Sequence, residues 1–302
     1  MRAARVKART DLQDLRARIV VEDAEVLAHT THAGNQYLLR LRAPTIAARA
    51  LPGSFLHVQC DPLLRMRRPM SLMRVNATAG WIEIFYKVHG VGTQLLTRRT
   101  SGEKISIIGP IGVPFKLRGY RRRPLLIGGG IGIPPMIFLA EHIKDLTDKV
   151  TPFIIMGSEV PFPFKPRPSK FVVKGVPDGV IGAMPLMEDW GIPSRLASQQ
   201  GYPGSFDGYV TDLARHWLTS LSEAQRAEVE LFGCGPTPML ETVATLAQDF
   251  RLPCQISLEE YMACAVGGCA GCAVKIQTDD GVAMRRICVD GPVFDVAAVV
   301  FS

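Results

Sequence analysis

Between about Val20 and Leu117 the apolar positions come in short runs separated by glycine and proline: Tyr37–Leu41, Phe55–Gln59, Trp81–Val88 and Lys104–Ile108. In Trp81–Val88 apolar and polar residues partly alternate, as a half-buried strand requires. Several such strands at this spacing predict a β-barrel or sandwich. After Arg123 the texture changes. Leu125–Ile127 is a short apolar run that ends in glycines, and Met136, Leu139, Ala140 and Ile143 then recur at helical spacing. Further strands are predicted at Pro152–Met156, Lys170–Val173 and Glu228–Phe232. A second helix is predicted over Pro238–Phe250, with Met239, Leu240, Val243, Leu246 and Ala247 on one face. Strands alternating with helices predict a doubly wound parallel sheet.

Gly157–Gly208 holds eight of the 22 prolines and predicts long connections around one strand and a short helix near Met187–Trp190. From Leu252 the signals are a strand at Ala273–Gln277, a hairpin turn at Asp279-Asp280-Gly281, and a second β-type run reaching Ile287-Cys288-Val289. The expected divisions are an N-terminal extension (1–19), a β-domain (20–120), an α/β domain (121–251) and a small C-terminal region (252–302).

Composition narrows the class. The chain has 302 residues, of which 47% are hydrophobic, enough for two or three domains with ordinary cores. The net charge of +7 is concentrated in Met1–Arg18 and in short runs such as Arg65–Arg68 and Arg121–Arg123. No basic stripe interleaved with aromatics appears, so nucleic-acid binding is not expected, and anionic cofactors account for the basic runs. The N-terminal segment has no apolar core of the kind a signal peptide carries. The most apolar stretch, Pro124–Ala140, is broken by glycines and prolines and is too short to span a bilayer. A reducing cytoplasm and no membrane association are the expectations.

Four of the seven cysteines change the picture most. Cys264, Cys269 and Cys272 read C-x4-C-x2-C, and Cys288 follows after fifteen residues. Three thiolates from one tight loop and a fourth from a distant segment suit a [2Fe–2S] cluster. The small residues Ala263, Ala265, Gly267, Gly268, Ala270 and Gly271 let the backbone curl and turn N–H groups toward sulfur. Structural zinc sites usually carry two C-x2-C-like pairs, and here only Cys269 and Cys272 form one. A disulfide framework fits poorly with an odd cysteine count and no secretory signal. Of the others, Cys60 and Cys254 are expected to be buried as small hydrophobes.

Upstream lie four shorter motifs. In Arg68-Pro69-Met70-Ser71 a rigid proline spaces a guanidinium and a hydroxyl that can meet one phosphate-bearing ligand. Fourteen residues after Ser71 comes a segment from Phe85, Tyr86 and Lys87 to Gly92 and Thr93, where backbone N–H groups can approach a pyrophosphate. Gly128, Gly129, Gly130 and Gly132 stand at a strand-to-helix junction, where a dinucleotide phosphate can reach the helix N-terminus. Cys234, Gly235 and Pro236 follow a strand in the same way. Each motif alone is weak, and on its own Cys234 reads best as a packed loop residue. The six histidines show no metal spacing and are expected to be surface or satisfied residues.

Together these motifs resemble the ferredoxin–NADP⁺ reductase superfamily. With the cysteine quartet the chain resembles the electron-transfer subunits of class 1B dihydroorotate dehydrogenases, from about residue 20 to 295. The resemblance implies a β-barrel FAD domain, an α/β doubly wound parallel-sheet nucleotide domain and a C-terminal [2Fe–2S] subdomain. It implies that Arg68–Ser71, Phe85–Lys87 and Gly92-Thr93 bind FAD, and that the Gly128 turn and Cys234 loop face NAD(H). It also implies an FMN-containing dihydroorotate dehydrogenase catalytic subunit as partner, in a heterotetramer of two copies of each chain. Glu259-Glu260 matches the family pattern, and Tyr261 stands where a basic residue is expected. Two alternatives remain at this point: a related FAD/[2Fe–2S] reductase subunit serving a hydrogenase, a sulfite reductase or a ferredoxin-dependent transhydrogenase, and a non-catalytic redox or metal sensor.

Overall fold

The computed structural model describes residues 13–118, 121–146 and 150–301, so most of the basic N-terminal extension lies outside the described residues. The chain forms two compact units. The first takes the chain through Phe115 together with Ser257–Phe294 and the residues from Ala298 onward. The second comprises Lys116–Ile256 and Asp295–Ala297.

In the first unit, strands β1 (Val20–His32), β2 (Gln36–Arg42), β3 (Phe55–Val58), β4 (Arg68–Asn76), β5 (Trp81–Lys87) and β6 (Lys104–Ile111) close a barrel in the order β1-β2-β5-β4-β3-β6. Closure depends on β1, which pairs with both β2 and β6 and is bent by a bulge between Val26 and Ala28. The hydropathy pattern does not announce this strand, because its acidic residues Glu22, Asp23 and Glu25 surround the few buried positions, Ala24 and Val26. Leu39, Leu41, Leu56, Val58, Leu72, Ile82, Ile84 and Ile107 are fully buried. Each contributes roughly 1.5–3 kcal/mol of burial free energy. The Arg68–Ser71 motif is the start of β4, paired with β3, where the sequence suggests only a segment after a strand.

The C-terminal part of this unit carries the hairpin β14 (Ala273–Thr278) and β15 (Gly281–Arg286), turned at Asp279-Asp280 as its sequence predicts. Cys288 follows in a short helix, Ile287–Asp290, rather than on a continued β-run. The Arg286 N–H donates to the Asp290 carboxylate at 2.8 Å, which stops the strand and starts the turn.

The second unit holds a sheet whose strands lie side by side in the order β11 (Ser194–Ala197), β8 (Phe153–Gly157), β7 (Arg123–Gly129), β12 (Val229–Cys234), β13 (Cys254–Ser257). The β11–β8, β8–β7 and β7–β12 pairs are parallel. Helices Ile133–Leu146 and Thr237–Phe250 match their predicted apolar stripes. A third, Val210–Ser220, buries Val210, Leu213, Ala214, Trp217 and Leu218 at helical spacing, a signal present in the sequence and overlooked there. The strand predicted at Lys170–Val173 does not form. In its place β9 (Arg167–Pro168) pairs with β10 (Gly182–Ala183), and β11 joins the sheet. Ser194-Arg195 looks polar in sequence, but Arg195 is 4% exposed and donates to the Ser194 and Phe171 carbonyls. Among the described residues no helix is long and apolar enough to cross a membrane.

Candidate functional site

The two halves of the first unit's phosphate-type motif meet in space. A Cβ built on Gly92 would lie 2.7 Å from Arg68 Nε and 3.0 Å from Cζ, so the guanidinium rests directly on the glycine. Arg68 Nη1 donates to the Met66 and Arg67 carbonyls at 2.8 and 3.2 Å, which aims the fork along the start of β4. Pro69 and Ser71 face His57 and Phe55 across the β3–β4 ladder. Thr93 is 7% exposed, and its hydroxyl is spent on the His89 backbone at 2.6 and 2.8 Å, so the groups this turn can present are the N–H groups of the first helical residues, Gly90–Gly92.

Tyr86 does not join this group. Its hydroxyl lies 2.9 Å from His29 Nε2 and its ring stacks on Tyr37 at 5.4 Å. Burial first, and then Tyr37 and Cys60, push its phenol up, so it stays neutral. Its neighbours Phe85, 8% exposed, and exposed Lys87 lie on the other side of the strand.

Changing Gly92 to alanine forces the Arg68 guanidinium aside. Because the obstacle is a movable side-chain end, stability should fall by less than about 1 kcal/mol. Flavin retention should fall about tenfold, as expected for loss of a charge-assisted contact worth roughly 1.5 kcal/mol. Thermal midpoint and flavin content after desalting check the two effects separately.

In the second unit two glycine turns interlock at the carboxyl ends of β7 and β12, where Cys234 pairs with Gly128. A Cβ on Gly132 would stand 2.2 Å from the Cys234 carbonyl oxygen and 2.5 Å from the Gly235 nitrogen. On Gly128 it would reach the Ile133 Cα at 2.9 Å, and on Gly129 the Met239 sulfur at 2.5 Å. Gly130 differs, with a φ of +55° and nothing within 4 Å of the built Cβ. Three glycines thus let the turns pack, and the fourth leaves open backbone where a ligand can approach. Cys234 is fully buried beneath this junction.

The cysteine loop is wound by left-handed residues: Ala265 (φ 55°), Gly267 (88°) and Ala270 (55°). Alanine tolerates that region at a cost of about 1–2 kcal/mol per residue, so the loop holds a conformation that local energetics oppose. Its purpose is visible in the hydrogen bonds. The N–H groups of Gly268 and Cys269 donate to Cys264 Sγ at 3.2 and 3.4 Å, and that of Gly271 donates to Cys269 Sγ at 3.4 Å. The fourth thiol is brought in by Ile287 N–H donating to the Cys272 carbonyl at 3.0 Å, which sets Cys272 Sγ and Cys288 Sγ 3.4 Å apart. Arg286, which no sequence motif marks, donates to the Gly267 carbonyl at 2.6 Å and pins the loop.

All four cysteines are free thiols. Cys269 is exposed, Cys264 half-buried, and Cys272 and Cys288 are 2% and 3% exposed in an apolar core with Phe55, Ile111, Met262 and Ile287. Burial acts to raise the Cys264 thiol, but N–H donors from Val266, Cys269 and Gly268 overcome it and hold it down to about 6. Burial and the Cys272 thiol push Cys288 up to about 12. Among the described residues no three His, Cys, Asp or Glu side chains converge on one metal-ion position. Four free thiols, small intervening residues and N–H groups turned on sulfur fit the donor set of an iron–sulfur cluster. In the cluster-free chain Cys264 is a thiolate above about pH 6. Iodoacetamide labelling followed by peptide mass spectrometry should therefore modify it by pH 7, while Cys288 stays unlabelled below about pH 10.

Comparison with known proteins agrees with this geometry. Residues 259–300 match the family described as the iron–sulfur cluster binding domain of dihydroorotate dehydrogenase B. The dihydroorotate dehydrogenase B (NAD(+)) electron transfer subunit of Desulforamulus reducens is 32% identical, covering 93% of this chain and 99% of that protein. Its counterpart in Geobacillus sp. strain WCH70 is 33% identical over 92% and 98%. Among solved structures, an NADH-dependent reduced ferredoxin–NADP oxidoreductase superposes with a TM-score of 0.74 at 21% identity, over 92% of this chain and 90% of that one. The ferredoxin reductase of carbazole 1,9a-dioxygenase gives 0.59 at 22%, over 78% and 67%. These two likenesses establish the reductase-type fold of barrel and parallel sheet. With identity at that level along nearly its whole length and the cysteine loop inside the matched segment, the chain belongs to the family of dihydroorotate dehydrogenase B electron transfer subunits.

Proposed function

We propose that this chain is the oxidoreductase component that passes electrons between the FMN-containing catalytic subunit of a dihydroorotate dehydrogenase and NAD, in pyrimidine synthesis. Residues 20–120 serve as the flavin module, 121–251 as the nucleotide module and 252–302 as the cluster module. Bound FAD supplies the conversion between the two-electron hydride chemistry of a nicotinamide and the one-electron chemistry of a [2Fe–2S] centre.

The residues divide the work accordingly. Arg68 and the Gly90–Gly92 N–H groups hold the FAD pyrophosphate, with Thr93 closing their turn. Pro69, Met70, Ser71, Phe85 and Lys87 line the strands on which the flavin lies, with Tyr86 bracing β5 from inside the barrel. Gly130 offers open backbone to the nicotinamide nucleotide, and Gly128, Gly129, Gly132, Cys234, Gly235 and Pro236 shape that turn. Cys264, Cys269, Cys272 and Cys288 ligate the cluster, and Arg286 fixes their loop. No acid–base pair or nucleophile is arranged for substrate chemistry at these residues, which leaves dihydroorotate oxidation to the partner. The compartment that suits four reduced thiols is the cytoplasm.

One observation carries the proposal: a loop whose N–H groups already point at cysteine sulfurs is packed, through Phe55, on the barrel that bears the Arg68–Gly92 contact. Co-expression with an FMN-type dihydroorotate dehydrogenase subunit tests it. The two chains should copurify in equal amounts, as a heterotetramer, and reduce NAD with dihydroorotate. Copurification without NAD-dependent orotate formation would reject the assignment.

A further inference from the structure

One peptide unit of the cysteine loop is bonded at both ends. The Gly267 carbonyl accepts from Arg286 Nη1 at 2.6 Å, and the Gly268 N–H, across the same peptide bond, donates to Cys264 Sγ at 3.2 Å. A planar trans peptide points its C=O and N–H in opposite directions, so guanidinium, peptide and sulfur follow one another in a chain. Hydrogen bonds in such a chain polarise one another and strengthen by about 10–30% each. A charged donor at the carbonyl end polarises it more than a neutral one.

The arrangement is specified by its neighbours. Gly267 has a φ of 88°, and a Cβ on it would stand 2.5 Å from Val289 Cγ2 and 3.6 Å from Arg286 Nη1. Arg286 ends β15 opposite Ala273, the residue after Cys272. Its backbone N–H is held by Asp290 at 2.8 Å, which leaves the side chain to reach the loop. A second guanidinium, exposed Arg16, approaches the adjacent Val266 carbonyl at 3.4 Å. That contact is long and solvated, so it brings charge to the loop without a short bond.

We propose that Arg286 is a positioning residue that tunes the cluster through the Gly267–Gly268 peptide. A [2Fe–2S] group takes up one electron at a time, here from reduced FAD, and gains one negative charge with it. The polarised Gly268 N–H meets that charge at the Cys264 sulfur. Arg286 therefore favours the reduced form and raises the potential at which the flavin's electrons are accepted. The inference rests on the cluster assignment above.

The test compares the full, reconstituted chain with Arg286→Gln, Arg286→Lys and Arg16→Gln, reading the cluster's midpoint potential from its paramagnetic signal. In Arg286→Gln the reduced form should become about tenfold harder to populate, a drop of about 59 mV for one electron. Arg286→Lys keeps a cationic donor and should recover about half of that drop or more. Arg16→Gln should shift the same equilibrium by less than about threefold. The visible circular dichroism of the cluster should match wild type in all three variants. A potential within twofold of wild type in Arg286→Gln would overturn the proposal, and so would an equal drop in Arg16→Gln, the mark of bulk charge alone. Should Arg286→Gln lose the cluster, the Gly268 amide proton of the cluster-free chain decides: an upfield resonance supports the polarised peptide, and a wild-type position overturns it. A wild-type chain that gives no paramagnetic signal would reject the cluster assignment itself, and this inference with it.

Discussion

Replacing Cys272 with serine should remove the [2Fe–2S] signature altogether while FAD stays bound. Cys272 is 2% exposed, inside the core that also holds Cys288, Met262 and Ile287. A serine hydroxyl is far harder to deprotonate than a thiol and gives a hard oxygen donor in place of a soft one. Its shorter bond also widens the 3.4 Å spacing to Cys288 Sγ. The hydroxyl is left without a partner in apolar surroundings, which costs about 1–3 kcal/mol. Cluster absorbance and the electron paramagnetic signal of the reduced centre should both vanish, with a lower thermal midpoint. Cys60→Ala is the control. Cys60 is fully buried at the barrel, burial raises its thiol to about 11, and its loss should leave the cluster signal intact.

Changing Gly132 to alanine should disable the nucleotide turn. The new Cβ meets the Cys234 carbonyl and the Gly235 nitrogen, both backbone atoms anchored by β12 and the Thr237–Phe250 helix. Neither can swing away as a side chain can, so the two turns must separate. The cost is about 3 kcal/mol or more, at the upper end for overpacking. NADH-dependent flavin reduction should drop at least a hundredfold, measured by stopped flow. Gly130→Ala separates crowding from conformation. It meets no atom and bears only the left-handed penalty of about 1–2 kcal/mol, so it should be the more stable of the two variants.

What could be read from the sequence was whatever is contiguous along the chain. The cysteine spacing and the glycines between them specify a loop that can wrap a cluster, because a few neighbouring residues determine its backbone. The Gly128–Gly132 junction is local in the same sense. The Arg68–Gly92 contact is not, since 23 intervening residues and two strands must fold before the guanidinium meets the glycine. Arg286 was silent for the same reason. It is an ordinary residue by type, and its role appears only when Gly267 is packed beside it. Hydropathy failed where polar side chains satisfy themselves on backbone. Arg195 hides the edge strand Ser194–Ala197 in this way, and the acidic flank of β1 hides the strand that closes the barrel.

The central claim is that one chain carries a flavin that NADH reduces and a [2Fe–2S] centre that receives the electrons. Anaerobic titration of the purified chain with NADH, followed by visible absorbance and paramagnetic resonance, tests it directly. Flavin bands and cluster absorbance should bleach together, with the reduced-cluster signal rising as NADH is added. A colourless zinc-loaded protein, or a flavin that bleaches while the cluster stays oxidised, would contradict it.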